Sequence, residues 1–184
     1  MYNAILKTVI LGDVGTGKTT LLNRFINNKF VSNCISTIGV DFQSKECNFD
    51  GMELKLMIWD FGGHERFRYM CPEYLNGASG GILMYDITQY SSFSHIGYWL
   101  SLIKETNQKF PIILLGAKLD LDVLREVPRE VGVRVAESLG LNGFIECSSK
   151  SGENIKLLFE RLTRLMVDTN LIDKTNIIKL EEIS

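Results

Sequence analysis

The sequence predicts an α/β fold: a six-stranded, mostly parallel sheet with one antiparallel edge hairpin and helices on both faces. Three observations carry this. A short apolar run, residues 6–11, ends in a glycine-rich turn that opens into a helical stripe. The pair Asp50-Gly51 divides two strand-like runs. Beyond it, apolar runs of strand length alternate with stretches of helical period as far as Met166.

Taken in order, residues 6–11 read as a buried strand that stops at Gly12. Leu21, Leu22, Phe25 and Ile26 then form the apolar stripe of a helix that begins close to Gly17 and Lys18. Residues 42–49 and 53–59 flank the Asp-Gly turn, and Leu54, Leu56 and Ile58 alternate with Lys55 and Met57, so these two strands pair antiparallel. Further strands are expected at residues 81–85, 112–115 and 144–147. The helical stripes between and after them are Phe93, Ile96, Leu100, Ile103; Val131, Val135, Leu139, capped by Gly140; and Ile155, Leu158, Phe159, Leu162, Leu165, Met166. The last stripe runs out near Asp168, where the final helix is expected to end. Residues 1–168 therefore read as one domain and residues 169–184 as a short polar and aliphatic tail.

The 184 residues carry 20 Lys plus Arg against 22 Asp plus Glu. This near balance argues against a nucleic-acid binder and against a disordered acidic chain. Cys34, Cys47, Cys71 and Cys147 form no C-x-x-C pair, which speaks against a zinc site and for reduced thiols in a cytosol. No apolar run reaches about 18 residues, Met1-Tyr2-Asn3-Ala4 does not open a signal peptide, and no covalent lipid anchor is evident. The expectation is a cytoplasmic monomer, peripheral to a membrane only through a partner.

The chemistry concentrates in residues 12–19, Gly12-Asp13-Val14-Gly15-Thr16-Gly17-Lys18-Thr19, which fit G-x-x-x-x-G-K-[ST] between a predicted strand and a predicted helix. In that setting successive backbone N–H groups and the helix N-terminus cradle phosphate oxygens. Lys18 neutralises the terminal phosphates, and the Thr19 hydroxyl suits Mg2+. Asp60, at the end of the second hairpin strand, holds the metal, and Gly62-Gly63 after it let a backbone N–H approach the last phosphate.

These residues resemble the Ras superfamily of small GTPases, and its Rab branch most closely, over residues 6–166. Residues 37–42, Thr37-Ile38-Gly39-Val40-Asp41-Phe42, look like the family's first switch, residues 59–67 like its second, and Met84-Tyr85-Asp86-Ile87-Thr88 like the Rab fourth strand. Ala117-Lys118-Leu119-Asp120 and Cys147-Ser148-Ser149-Lys150 sit where the guanine-reading motifs belong. The resemblance implies a phosphate-loop small G-protein fold and a GTP/GDP switch that binds Mg2+ through Thr19, Thr37 and Asp60. It implies nucleotide contacts from Asp13, Val14, Gly15, Thr16, Gly17, Lys18, Thr19, Thr20, Phe30, Thr37, Gly63, Lys118, Asp120, Ser148, Ser149 and Lys150. His64, Lys18 and Gly63 are its implied catalytic residues. Effector, exchange-factor and GTPase-activating proteins would bind through residues 37–42 and 63–74, with Phe42, Trp59 and Tyr74 as an aromatic triad.

Four departures qualify the resemblance. Ala117 replaces the motif asparagine, whose polar side chain is expected to contact the base and brace the phosphate loop, at an expected cost of about 1–3 kcal/mol in nucleotide affinity unless a neighbouring group or water substitutes. His64 replaces the glutamine that orients the attacking water, Val14 crowds the γ-phosphate, and Cys34 replaces a tyrosine lid. Slow intrinsic hydrolysis is expected. The alternatives are a non-hydrolysing GTP/GDP-binding scaffold and, further off, a nucleoside-kinase-like enzyme, against which Asp120 and the lack of a lid domain argue. His95 and the remaining cysteines read as bland surface and core residues.

Overall fold

A computed structural model describes residues 2–32, 37–64 and 71–181, with side chains as far as Thr169. In chain order the elements are β1 (Ala4–Gly12), α1 (Lys18–Asn27), β2 (Val40–Phe49), β3 (Met52–Phe61), α2 (Cys71–Leu75), β4 (Gly80–Asp86), α3 (Tyr90–Ser94), α4 (Ile96–Glu105), β5 (Ile112–Ala117), a 3-10 turn (Leu119–Leu124), α5 (Arg129–Ser138), β6 (Phe144–Cys147) and α6 (Ile155–Glu181). The strands form one sheet in the order β2-β3-β1-β4-β5-β6. Only the β2–β3 pair is antiparallel. Asp50 and Gly51 join it with φ of 49° and 81°, the left-handed values that a two-residue hairpin turn requires.

Burial on both faces explains the unbroken apolar strands: every residue of β4 and β5 is buried. On one face Leu6, Ile10, Leu56, Ile82 and Leu115 pack under α1 and α6, through Leu21, Leu22, Phe159 and Leu162. On the other, Val9, Leu11, Leu83, Tyr85 and Leu114 pack under α4 and α5, with Trp99, Ile103 and Ala136. The order reverses at β1, which pairs with β3 on one side and β4 on the other, and the crevice at such a switch point is where ligands bind in sheets of this kind.

Two expectations need correction. The stripe Phe93, Ile96, Leu100, Ile103 belongs to two short helices, because His95 (φ −85°, ψ 0°) breaks the run between α3 and α4. The final helix does not end near Asp168 but continues through Glu181, taking in most of the expected tail. The backbone meets neither glycine nor proline after Gly152, so nothing in the chain breaks the helix where its apolar stripe runs out. Gly140 follows α5 at φ 69°, as its capping role demands.

Candidate functional site

The loop between β1 and α1 carries the motif. Lys18, the first residue of α1, is buried, and its Nζ donates to the carbonyls of Gly12 and Asp13, both at 2.8 Å. Thr16 Oγ1 donates to the same Asp13 carbonyl at 2.9 Å. The lysine is thus held on the loop's concave side, at the N-terminus of a ten-residue helix whose dipole favours an anion.

Beside it three oxygens converge. Thr19 Oγ1 donates to Asp60 Oδ2 at 2.5 Å, Thr37 Oγ1 donates to the same atom at 3.2 Å, and the two hydroxyls are 2.9 Å apart. Asp60 is fully buried and its Oδ1 has no hydrogen-bond partner. Burial pushes its carboxyl pKa up, opposed by the Thr19 bond, the Lys18 charge and the Thr37 bond. An orphaned buried carboxylate oxygen beside two hydroxyls fits a hard, oxygen-seeking cation such as Mg2+, which keeps few protein ligands.

Gly62 and Gly63 lock the second loop against the first and against the phosphate loop. The Gly62 N–H donates to Gly39 O at 2.8 Å, and a Cβ on Gly62 would lie 2.5 Å from Thr37 O. A Cβ on Gly63 would lie 2.3 Å from Val14 N. Only glycine permits either approach.

At the other end of the cleft, Lys118 (φ 66°) leaves β5 in the left-handed region, and its Nζ pairs with the fully buried Asp86 at 2.6 Å. The Asp86 carboxylate also accepts from Thr88 N–H (2.9 Å) and Oγ1 (2.7 Å). Ser148 Oγ donates to Asp120 Oδ1 at 2.6 Å, which fixes the carboxylate expected to read guanine. Arg24 in α1 donates to the carbonyls of Ser149 (2.7 Å) and Lys150, tying this loop to the phosphate end. Arg125 grips the buried Glu146 with two bonds of 2.6 and 3.1 Å, pinning the turn after Asp120 to β6.

Ala117 and Cys147 face each other in the β5–β6 register, and both are buried in the core beneath α1 and α6. Burial, reinforced by Glu153 and Glu146, pushes the Cys147 thiol up to about 12, so it stays neutral.

The cleft between these ends has a volume of about 550 Å³. Of the expected residues, Val14, Gly15, Thr16, Gly17, Lys18, Thr19, Thr20, Phe30, Thr37, Gly63, Lys118, Asp120, Ser149 and Lys150 line it. Two do not line it. Ser148 is fully buried and acts on Asp120, and the Asp13 carboxylate turns toward α4. His64 is half-buried next to Gly63, and Cys34 lies outside the described residues. Sequence reasoning passed over Asp86, Arg24, Trp99 and His95. Asp86 left a signal, a carboxylate closing an otherwise apolar strand; the others left none, because their partners are 86, 125 and 82 residues away.

Fold and site define a phosphate-loop nucleotide-binding protein with a carboxylate-lined base pocket. A sequence model described as the Ras family matches residues 7–168. The chain is 38% identical over 173 residues to Ras-related protein SEC4 of Saccharomyces cerevisiae, covering 92% of this chain and 80% of the relative. It is 39% identical to mouse Ras-related protein Rab-15 over 170 residues (92% and 80%) and 39% identical to dog Ras-related protein Rab-13 over 164 residues (89% and 80%). The chain belongs to the Ras family. It is a GTP-binding regulatory switch and a GTP hydrolase that takes GTP and GDP with Mg2+, and it works through effector, exchange-factor and GTPase-activating proteins. Among the described residues no helix is long and apolar enough to cross a membrane.

Proposed function

We propose that the protein is a slow GTP-hydrolysing switch in which the residues of the cleft divide the work as follows. The backbone N–H groups of residues 14–20 and the Lys18 ammonium hold the phosphates, while Thr19, Thr37 and Asp60 hold Mg2+, which neutralises charge on the terminal phosphates. Asp120 accepts from guanine, with Ser148 holding its carboxylate; Phe30, Lys118 and Lys150 flank the base, and Ser149 offers its N–H. His64 orients the attacking water, and Gly63 N–H meets the terminal phosphate. The observation that carries this reading is the orphaned Asp60 Oδ1 among two hydroxyls, at the edge of a lysine-bearing phosphate loop.

Val14 is 39% exposed, lines the cleft where its loop meets Gly63, and crowds the space for the terminal phosphate. This supports slow turnover. Residues 37–42 and 63–74 are the effector surface in this reading, although residues 65–70 lie outside the described structure. The Phe42, Trp59 and Tyr74 rings, 5.8 and 5.6 Å apart in sequence, support it with a continuous aromatic strip in which Phe42 is 59% exposed. The protein acts as a monomer in the cytoplasm, at membrane surfaces through a partner.

Single-turnover phosphate release from protein loaded with GTP and Mg2+ tests the assignment. Release at least tenfold slower in His64→Ala and faster in Val14→Gly supports it. Equal rates in all three proteins, or binding of ATP in preference to GTP, would overturn it.

A further inference from the structure

The phosphate loop is gripped from outside the cleft as well as from within. Trp99 Nε1 donates to Asp13 Oδ1 at 2.8 Å, and His95 Nδ1 lies 2.5 Å from Asp13 Oδ2. A carboxylate offers only acceptors, so this ring nitrogen carries the proton. The main-chain oxygen of Asp13 accepts at the same time from Lys18 and Thr16. One residue therefore ties the loop to α4 on its outer side and to the phosphate-binding lysine on its inner side.

The local fold explains why two donors converge there. His95 sits at the break between α3 and α4, and Trp99 follows four residues later, one turn up the same face of α4. Trp99 is 1% exposed and wedged in the core beneath the sheet, so it is a fixed body, whereas the His95 side chain is 47% exposed. Ala117, the residue on the cleft's inner wall from which a side-chain brace was expected, has no polar side-chain atom to offer.

We propose that His95 and Trp99 are positioning residues that set the residence time of the bound nucleotide by clamping Asp13, and so take over the bracing that Ala117 cannot give. The inference rests on the reading of this loop as the GTP site. Backbone N–H groups bind phosphate tightly only when they are held in place beforehand, and the segment from Asp13 to Thr16 is held by this carboxylate. Without the clamp the loop samples conformations in which those N–H groups diverge, and nucleotide leaves faster.

Release of a fluorescent GDP analogue, chased with excess GTP at fixed Mg2+, reads this directly. His95→Ala is expected to release about fivefold faster, and Trp99→Phe, which keeps a ring in the core but loses the N–H, about tenfold faster. His95→Asn, whose Nδ2–H stands the same two bonds from Cβ as the His95 Nδ1–H, is expected to return to within about twofold of the parent, a rescue that a merely space-filling role would not give. Thermal unfolding of His95→Ala without nucleotide should match the parent, since its ring is half in water. Release within twofold of the parent in both His95→Ala and Trp99→Phe would overturn the clamp, as would His95→Asn behaving like His95→Ala. A parent protein that does not retain GDP at all would instead overturn the reading of the loop as the nucleotide site.

Discussion

The two ends of the cleft are built by different means. The phosphate end is a contiguous run in which backbone, glycine and one lysine do the binding, and its side chains mostly hold one another: Thr16 and Lys18 on the Asp13 carbonyl, Thr19 and Thr37 on Asp60. The base end is assembled from three strand ends and depends on buried ion pairs, Lys118 with Asp86 and Arg125 with Glu146. At the first, losing one bracing hydrogen bond loosens the loop but strands no ion-pair partner in the core. At the second, removing one partner leaves a charge there.

The sharpest test of the contrast is Lys18→Ala. Its ammonium is buried on loop carbonyls and its charge also acts on the buried Asp60, whose carboxyl can take up a proton once the cation is gone, so the fold should survive while charge-assisted contacts to the phosphates vanish. Nucleotide affinity is expected to fall about 10³-fold with little change in the melting temperature of the empty protein, as measured by titration calorimetry and thermal unfolding. A large loss of stability would show that both ends depend on paired charges.

Arg125→Met is the converse. It leaves Glu146, whose side chain is 5% exposed, with only the longer Arg129 contact at 3.9 Å, and should cost about 3 kcal/mol of stability by denaturant unfolding. Glu146→Gln added to it removes the stranded charge and is expected to recover part of that loss. No recovery would mean that the pair serves by packing alone.

The same contrast explains what could be read before the structure. The succession of strands and helices, the hairpin and the phosphate loop follow from period, turn chemistry and a motif confined to residues 12–19, where the physics is local. Thr37 was legible only through the resemblance, and Asp60 only because it follows a strand beside the phosphate loop, since on its own a metal-proximal aspartate reads like a turn aspartate. His95 was misread because its role arises from a carboxylate 82 residues earlier, and the end of α6 was misread because burial periodicity marks contact, not helix termination. At Ala117 the sequence left open a loss or a substitution by a neighbouring group or water, and the residue opposite it in the β5–β6 register, Cys147, was not legible because the pairing is set by the sheet.

That pairing supplies the smallest expected effect and the one most specific to the base end. Burial, Glu153 and Glu146 raise the Cys147 thiol from 9.0 to about 12, so the folded protein keeps the proton that the unfolded chain releases near 9.0. A group whose pKa is raised on folding contributes stability in full below its unfolded value and loses it as pH rises, here between pH 9 and about 12. Cys147→Ala should cost about 1 kcal/mol at pH 7, where it leaves a small cavity, and its deficit against the parent should shrink above pH 9 as the parent alone pays to keep the thiol neutral. Denaturant unfolding of the two proteins from pH 7 to 10.5 measures this, and a deficit that stays constant across the range would mean that the thiol is not shielded.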